Sequence, residues 1–154
     1  MELALTESQL MIRKAAREFF AAECSSSVVR AMERDDRGYP PHLWRQMAEM
    51  GYNHFKNGRY DKSEIIFKGL TVIDPDNYYY HQMLGATFQR TEKLPESVVE
   101  YSIATDLNPK DTVSLTNRGE VYFKLGIYQL AETDLDQAIA LDPKGEDRWV
   151  NRAR

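Results

Sequence analysis

The sequence predicts an all-α fold built from one helix-turn-helix unit that occurs three times in succession. Two residue types recur along the chain at the same interval of 34 residues. The glycines are Gly51, Gly85 and Gly119, and the prolines are Pro75, Pro109 and Pro143. Because two independent markers share one period, we place the repeats at 44–77, 78–111 and 112–145.

The positions inside each unit fit a pair of closely packed helices. Glycine at the eighth position allows a second helix to approach, because it has no side chain to hold the helices apart. The proline near the end of each unit stops the second helix. The seventh position departs from the pattern in the third unit, where Arg118 replaces the apolar Met50 and Leu84. We expect Arg118 to lay its stem on the core and hold its guanidinium in solvent.

The period and these framework positions resemble the tetratricopeptide repeat. This resemblance implies a right-handed superhelix of three tetratricopeptide helix pairs, whose first helices line a concave groove. Within that family, the segments 52–60, 66–74 and 84–89 resemble class II chaperones that hold translocator proteins for type III secretion. That resemblance implies a protein or peptide client whose extended segment lies in the groove.

The segment before the repeats predicts an N-terminal helical cap over residues 1–43. Apolar residues recur at helical spacing over 6–23, a second short helix follows, and a Gly- and Pro-containing loop spans 35–41. Pro41 suits a helix start, and we expect one unbroken helix from there to about Asn57. At the other end, 146–154 begins a capping helix.

The N-terminal segment also resembles the opening helices of acyl-CoA dehydrogenases, at 5–9, 17–23 and 38–51. Those enzymes need a flavin-binding β domain and a downstream carboxylate that have no counterpart here, so we expect neither a flavin cofactor nor catalysis. Both resemblances include residues 47–51, which indicates a shared helix. We interpret the chain as an engineered chimera joined there. The alternative is a natural repeat protein with a similar cap.

Composition narrows the class of function further. The chain has 154 residues, of which 42% are hydrophobic and 29% charged, enough for a sizeable core. Its net charge of −4 with interspersed signs predicts no nucleic-acid partner. A single cysteine, Cys24, and the lack of a secretory signal or long apolar run predict a cytoplasmic protein without a membrane segment. We expect Cys24 to be a small packing residue.

The tetratricopeptide resemblance implies groove residues at the second, fifth, ninth, twelfth and thirteenth positions of each unit. They are Arg45, Ala48, Tyr52, Phe55, Lys56, Tyr79, Gln82, Ala86, Gln89, Arg90, Val113, Thr116, Glu120, Phe123 and Lys124. Aromatic residues with a few basic and amide groups suit a peptide with apolar anchors. The alternative places Phe55 and Phe123 in the core between helices.

Other site chemistries are weakly represented. Relatives that bind acidic chaperone tails use a Lys and Asn clamp, but the matching positions hold Ala48, Tyr52, Met83, Val113 and Asn117. We therefore expect no bound terminal carboxylate. The histidines at 42, 54 and 81 stand apart, which favours packing over metal binding. We also expect no carboxylate to be buried beside a partner of the sort that retunes a catalytic acid.

These patterns together predict a non-enzymatic protein-interaction module. The competing class is an acyl-CoA dehydrogenase fragment that retains affinity for acyl-CoA or flavin. After Gly145 only Trp149, Val150 and Ala153 offer an apolar helix face, so we expect the surface around Leu135, Ile139 and Leu141 to stay partly uncovered. An uncovered apolar surface predicts self-association as a symmetric homodimer.

Overall fold

The computed structural model describes residues 41–153, with side chains from residue 44 onward. This part of the chain forms seven helices. They are α1 (Pro41–Lys56), α2 (Tyr60–Ile73), α3 (Tyr78–Arg90), α4 (Leu94–Leu107), α5 (Thr112–Lys124), α6 (Tyr128–Leu141) and α7 (Arg148–Ala153). No helix among them is both long and apolar enough to cross a membrane. The predicted helices before residue 41, the loop preceding Pro41, and Cys24 lie outside the described residues.

The unbroken helix predicted after Pro41 is confirmed, because α1 runs from Pro41 to Lys56. The chain divides into two compact parts, 1–50 and 51–154, and the boundary between them falls inside α1. The helix contacts of the repeat array lie in the second part. In it α3 packs with α4 and α5 with α6, while α2 contacts α3 and α4 contacts α5. Neighbouring helices along the chain therefore pack side by side.

Each helix pair closes on the glycine of its first helix. A Cβ atom added at Gly85 would lie 2.9 Å from the Tyr101 ring, closer than such atoms approach one another in proteins. The Tyr101 side chain is completely buried. The other two pairs repeat the arrangement, with Gly51 against Phe67 and Gly119 against Leu135. The eighth position of each unit therefore sets the distance between paired helices.

The turn inside each pair is also the same in all three units. Its central residue has a positive φ, 71° at Gly58, 58° at Glu92 and 76° at Gly126. The following amide donates to a carbonyl five residues earlier, as Ile127 does to Tyr122 at 2.9 Å. This is the Schellman end of a helix, in which glycine avoids the steric cost of the left-handed conformation. Glu92 bears that cost in the second unit.

The expectation that Arg118 sends its head group to solvent is wrong. Its Nε and Nη2 atoms donate to both oxygens of Asp134, each at 2.7 Å, and Asp134 is only 4% exposed. Nη1 donates to the hydroxyls of Ser102 and Thr105 at 3.1 and 2.8 Å. These hydrogen bonds to Asp134 raise the pKa of Arg118 above its ordinary value, although burial opposes the shift. The guanidinium remains inside because α4 and α6 supply acceptors for it.

Asp134 is therefore a buried carboxylate that pairs with a charged side chain. A second pair occurs in the middle unit, where the buried His81 holds Glu100 Oε2 at 2.7 Å through Nδ1. Its Nε2 donates to the carbonyl of Pro75 at 2.9 Å. Glu100 and Asp134 occupy the same position of their units, the twenty-third. In two of the three units an acid at this position therefore pairs with a basic residue on the first helix.

A test of the helix spacing is the substitution Gly85→Ala. The new methyl group would press on the buried Tyr101 ring, so the free energy of unfolding should fall by about 1–3 kcal/mol. Gly69→Ala in α2 is the matched control, because a Cβ there meets nothing within 4 Å. That variant should gain about 0.5–1 kcal/mol from helix propensity alone. Urea unfolding measures both changes, and equal effects of the two variants would contradict the close approach.

The buried Arg118–Asp134 ion pair can be tested by replacing it with the residues at the same positions of the first unit, which are Met50 and Ile66. Arg118→Met alone leaves the Asp134 carboxylate unpaired and should cost about 3–5 kcal/mol of unfolding free energy. Adding Asp134→Ile should recover most of that loss, because apolar residues can replace a buried pair at little cost. The measurement is again urea unfolding. If the single and double variants are equally destabilised, the pair does not act as described.

Candidate peptide-binding groove

The surface predicted to bind a peptide is formed by α1, α3 and α5, the first helices of the three pairs. The structure sorts the predicted residues into three groups by exposure. Those exposed are Arg45, Tyr52, Lys56, Arg90, Phe123 and Lys124, those half-buried are Phe55, Tyr79, Ala86, Gln89, Val113 and Glu120, and those buried are Ala48, Gln82 and Thr116. Arg45 and Ala48 precede the division at Gly51, and the groove geometry given below concerns Tyr52 and the residues after it.

In one half of this surface, basic side chains lie beside aromatic rings. Tyr52 is 42% exposed, and Lys56 Nζ lies 5.7 Å from the centre of its ring. Tyr79 on α3 is half-buried, and burial raises its pKa above the ordinary value. The guanidinium of Arg90 lies 6.0 Å from the centre of the Phe55 ring. α1 and α3 together therefore present aromatic rings with two positive charges beside them, which we call the aromatic half.

The other half is polar and already paired. The hydroxyl of Tyr101 donates to Gln89 Oε1 at 2.9 Å. Burial raises the pKa of Tyr101 far above its ordinary value, and the nearby carboxylate of Glu120 raises it further. That carboxylate also accepts from the guanidinium of Arg152 on α7, with Oε2 at 2.6 Å. The charges near α5 are thus largely neutralised within the chain, unlike those of the aromatic half.

Gln82 and Thr116 do not line an open groove. The Gln82 amide donates to Asp111 at 2.5 Å and lies 3.4 Å from the Ser114 hydroxyl. Thr116 donates to the carbonyl of Trp149 at 3.4 Å. The fifth position of a unit faces the start of the next unit's first helix, and this contact buries it. Both residues are therefore part of the packing between units.

The two phenylalanines of the groove prediction also lie differently from each other. Phe123 is 62% exposed, so the alternative that placed it in the core is wrong. Its ring meets Tyr128 edge-on, with centroids 5.4 Å apart. Phe55 meets Tyr60 in nearly the same way, at 5.6 Å, but is half-buried. Both rings thus stand at the turn end of their helix pair, at the edge of the groove.

The groove prediction left out two residues that hold its polar side chains in place, Tyr101 and Arg152. The Tyr101 side chain is completely buried, and its hydroxyl reaches Gln89 because the phenol is long enough to cross the helix pair. Arg152 lies in the segment 146–154, which the sequence predicts only as the start of a capping helix. The 32-residue spacing between it and Glu120, close to one repeat, is the signal that could have placed them together.

Three of the five positions compared with an acidic-tail clamp, Ala48, Met83 and Asn117, are buried. No group of three or more His, Cys, Asp or Glu residues that could hold a metal ion occurs between residues 41 and 153. The buried imidazole of His81 is held between Pro75 and Glu100.

The apolar surface around Leu135, Ile139 and Leu141 stays partly uncovered, as predicted. Val150 of α7 is fully buried, while Trp149 is half-buried between the guanidinium groups of Arg148 and Arg152. Leu135 and Ile139 are half-buried and Leu141 is 39% exposed. The most exposed apolar residues lie instead around the turn between α5 and α6.

Comparison with known proteins identifies the fold as that of the tetratricopeptide repeat. The tetratricopeptide repeat model matches residues 113–144, which is almost all of the third unit. The model of the acyl-CoA dehydrogenase N-terminal domain matches residues 6–56. The second match ends at Lys56, the last residue of α1. The chain therefore carries both resemblances, and the two matched segments do not overlap.

Individual proteins extend this comparison. Anaphase-promoting complex subunit 3 of Schizosaccharomyces pombe is 27% identical over 104 residues, which is 68% of this chain but only 16% of that protein. The solved complex of PcrH with the chaperone-binding region of PopB is similar, with a TM-score of 0.71 and 23% identity over 75% of this chain and 95% of PcrH. The first repeat domain of Spaghetti (RPAP3), bound to the HSP90 peptide SRMEEVD, gives 0.65 and 22% over 70% and 84%.

Proposed function

We propose that this protein is a non-enzymatic interaction module that binds an extended segment of a protein client in the groove formed by α1, α3 and α5. The observation that carries this proposal is the aromatic half, where the Tyr52 ring is exposed and Lys56 and Arg90 lie beside aromatic rings. Rings of this kind give a large contact area at a small entropic cost. Two solved structures with this fold contain bound peptides, and this supports the same use here.

The charges of the groove define the kind of client. Lys56 and Arg90 stand beside the rings of Tyr52 and Phe55. A segment with an aromatic or aliphatic anchor and an acidic residue near it would complement this half of the surface. A client held by a free terminal carboxylate is not favoured. Two of the positions that would hold the carboxylate carry Asn117, whose amide is buried, and Tyr52, whose ring has no positive charge.

A test uses two peptides named by the solved structures, the chaperone-binding region of PopB and SRMEEVD. We expect the first to bind and the second to bind no better than a scrambled sequence. Tyr52→Ala should weaken binding of the first by about 1–2 kcal/mol, because it removes an exposed anchor contact. Val99→Ala on α4, where the side chain is 57% exposed, is the control and should leave the affinity unchanged. Isothermal titration gives each dissociation constant.

Two outcomes would contradict the proposal. Preferential binding of SRMEEVD would show a carboxylate-directed site. Equal losses from Tyr52→Ala and Val99→Ala would place the client elsewhere on the array. Circular dichroism of Tyr52→Ala separates a lost anchor from a lost fold, and an unfolded variant would show that the ring is structural.

We further propose that the chain is an engineered fusion, in which a dehydrogenase-like N-terminal segment and a repeat array share one helix. The support is that the dehydrogenase-type match extends to Lys56, while the 34-residue period predicts that the first repeat begins at residue 44. With that start, residues 44–56 would serve both segments within α1. A natural type III secretion-like chaperone is the alternative for the array.

We also propose a cytoplasmic location, because the chain has a single cysteine and therefore no internal disulfide.

The competing proposal, an enzyme fragment with residual affinity, makes an opposite prediction. If residues 6–56 keep a ligand site, an acyl-CoA or flavin should raise the melting temperature of the protein through linkage. We expect no shift with either ligand, and no acceptor reduction above the protein-free rate, because the segment matches only an N-terminal domain. A saturable rise in melting temperature would favour the fragment hypothesis over the interaction module.

A further inference from the structure

The middle unit has an amide on its first helix at a position where both outer units have an aromatic ring. Two positions of the unit distinguish it from the other two. Across the three units, the twelfth position holds Phe55, Gln89 and Phe123, and the twenty-fourth holds Phe67, Tyr101 and Leu135. The amide and the hydroxyl therefore occur together in one unit, and neither occurs in the others. This pairing indicates that the two polar groups act jointly.

The hydroxyl of Tyr101 fixes the orientation of the Gln89 amide. Tyr101 is completely buried, so its phenol needs an acceptor for its proton. Gln89 Oε1 is that acceptor, at 2.9 Å. Burial raises the pKa of Tyr101 far above its ordinary value, so the phenol stays protonated and donates. Because this contact engages the oxygen of the planar amide, the nitrogen lies on the far side, away from Tyr101.

The amide nitrogen of Gln89 is available to a ligand. Gln89 is half-buried, and its Nε2 atom has no hydrogen-bond partner within residues 41–153. A carboxamide nitrogen carries two N–H donors. An extended segment offers one unpaired main-chain carbonyl per residue, whereas the carbonyls inside a helix already accept from their own chain. The fixed amide therefore suits the main chain of an extended segment.

The charges around Gln89 favour a neutral acceptor over a carboxylate. After burial, the Glu120 carboxylate is the group that raises the pKa of Tyr101 most. The opposing effects of Arg152 and Arg90 are smaller. A second carboxylate at this place would be repelled by Glu120, because like charges disfavour each other. A main-chain carbonyl has no net charge and therefore fits the amide better than an acidic side chain does.

We infer that Gln89 binds the main chain of the client by donating from Nε2 to a carbonyl of an extended segment, and that Tyr101 is a positioning residue for this contact. The inference rests on the proposed function. It assigns different tasks to the parts of the groove. The rings of the outer units contact client side chains, while the middle unit contacts a group that every client residue has. Recognition at the middle unit is therefore independent of the client sequence.

The test removes the donor without leaving a buried group unpaired. Gln89→Met with Tyr101→Phe deletes both ends of the hydrogen bond, and the first unit already packs a phenyl ring against its glycine. This double variant should fold and should bind the chaperone-binding region of PopB roughly three- to tenfold more weakly, the value of one hydrogen bond. Tyr101→Phe alone keeps the donor but not its orientation, so its loss should be smaller. Gln129→Met, the same change at an exposed residue of α6, is the control and should leave the affinity unchanged.

A change in the peptide separates a main-chain contact from a general loss of packing. Replacing one peptide bond of the PopB region by an ester weakens that carbonyl as an acceptor. In a set of such peptides, one ester should weaken binding to the parent chain but not to the double variant. Isothermal titration measures each dissociation constant, and urea unfolding checks the fold. If the double variant does not fold, Tyr101→Phe takes its place and should reduce the effect of the same ester.

Three outcomes count against the inference. If Tyr52→Ala weakens binding of the PopB region while the double variant binds as tightly as the parent, the proposed function stands and this inference is overturned. It is also overturned if every ester affects the parent and the variant equally. If the PopB region does not bind the parent chain at all, the proposed function and this inference fail together.

Discussion

The array depends on the distance between the two helices of each pair, which the glycine at the eighth position sets. Where the first helix has no side chain, a large apolar group of the second helix can lie directly on its backbone, as Tyr101 does at Gly85. This contact buries the largest side chains of the pair and fixes how far the first helix stands from the second. The position of every groove residue on α3 follows from it. A change in this spacing would move Tyr79 and Arg90 together relative to α1.

The same constraint explains why so much of the fold could be predicted from sequence. A 34-residue period records the packing of one unit, and each further unit repeats it, so three copies of Gly and Pro identified the helix pairs. The helix boundaries follow the turn, where Gly58 and Gly126 adopt a positive φ that the sequence signals directly. Glu92 adopts that conformation without a glycine, because the paired helices impose it.

What the sequence did not reveal were contacts between positions that are individually unusual. Considered alone, Arg118 is a charged residue at a position that is apolar in the other two units, and its partner Asp134 is a charged residue in the core. The two are explained only together, and their sixteen-residue separation corresponds to no period within a single helix. The groove was likewise predicted by position rather than by contact. Gln82 therefore entered the prediction although the neighbouring Asp111 holds it between units.

The Arg118 network also makes the order of the units matter. Its Nη1 donates to Ser102 and Thr105, which belong to the preceding unit. The first unit has Lys68 and Thr71 at those two positions. If the third unit followed the first directly, an ammonium group would replace a hydroxyl beside the guanidinium, and like charges would meet in a half-buried place. The units are therefore not interchangeable modules. Their order is fixed because the hydrogen-bond donors and acceptors at the junction between the second and third units match only in that order.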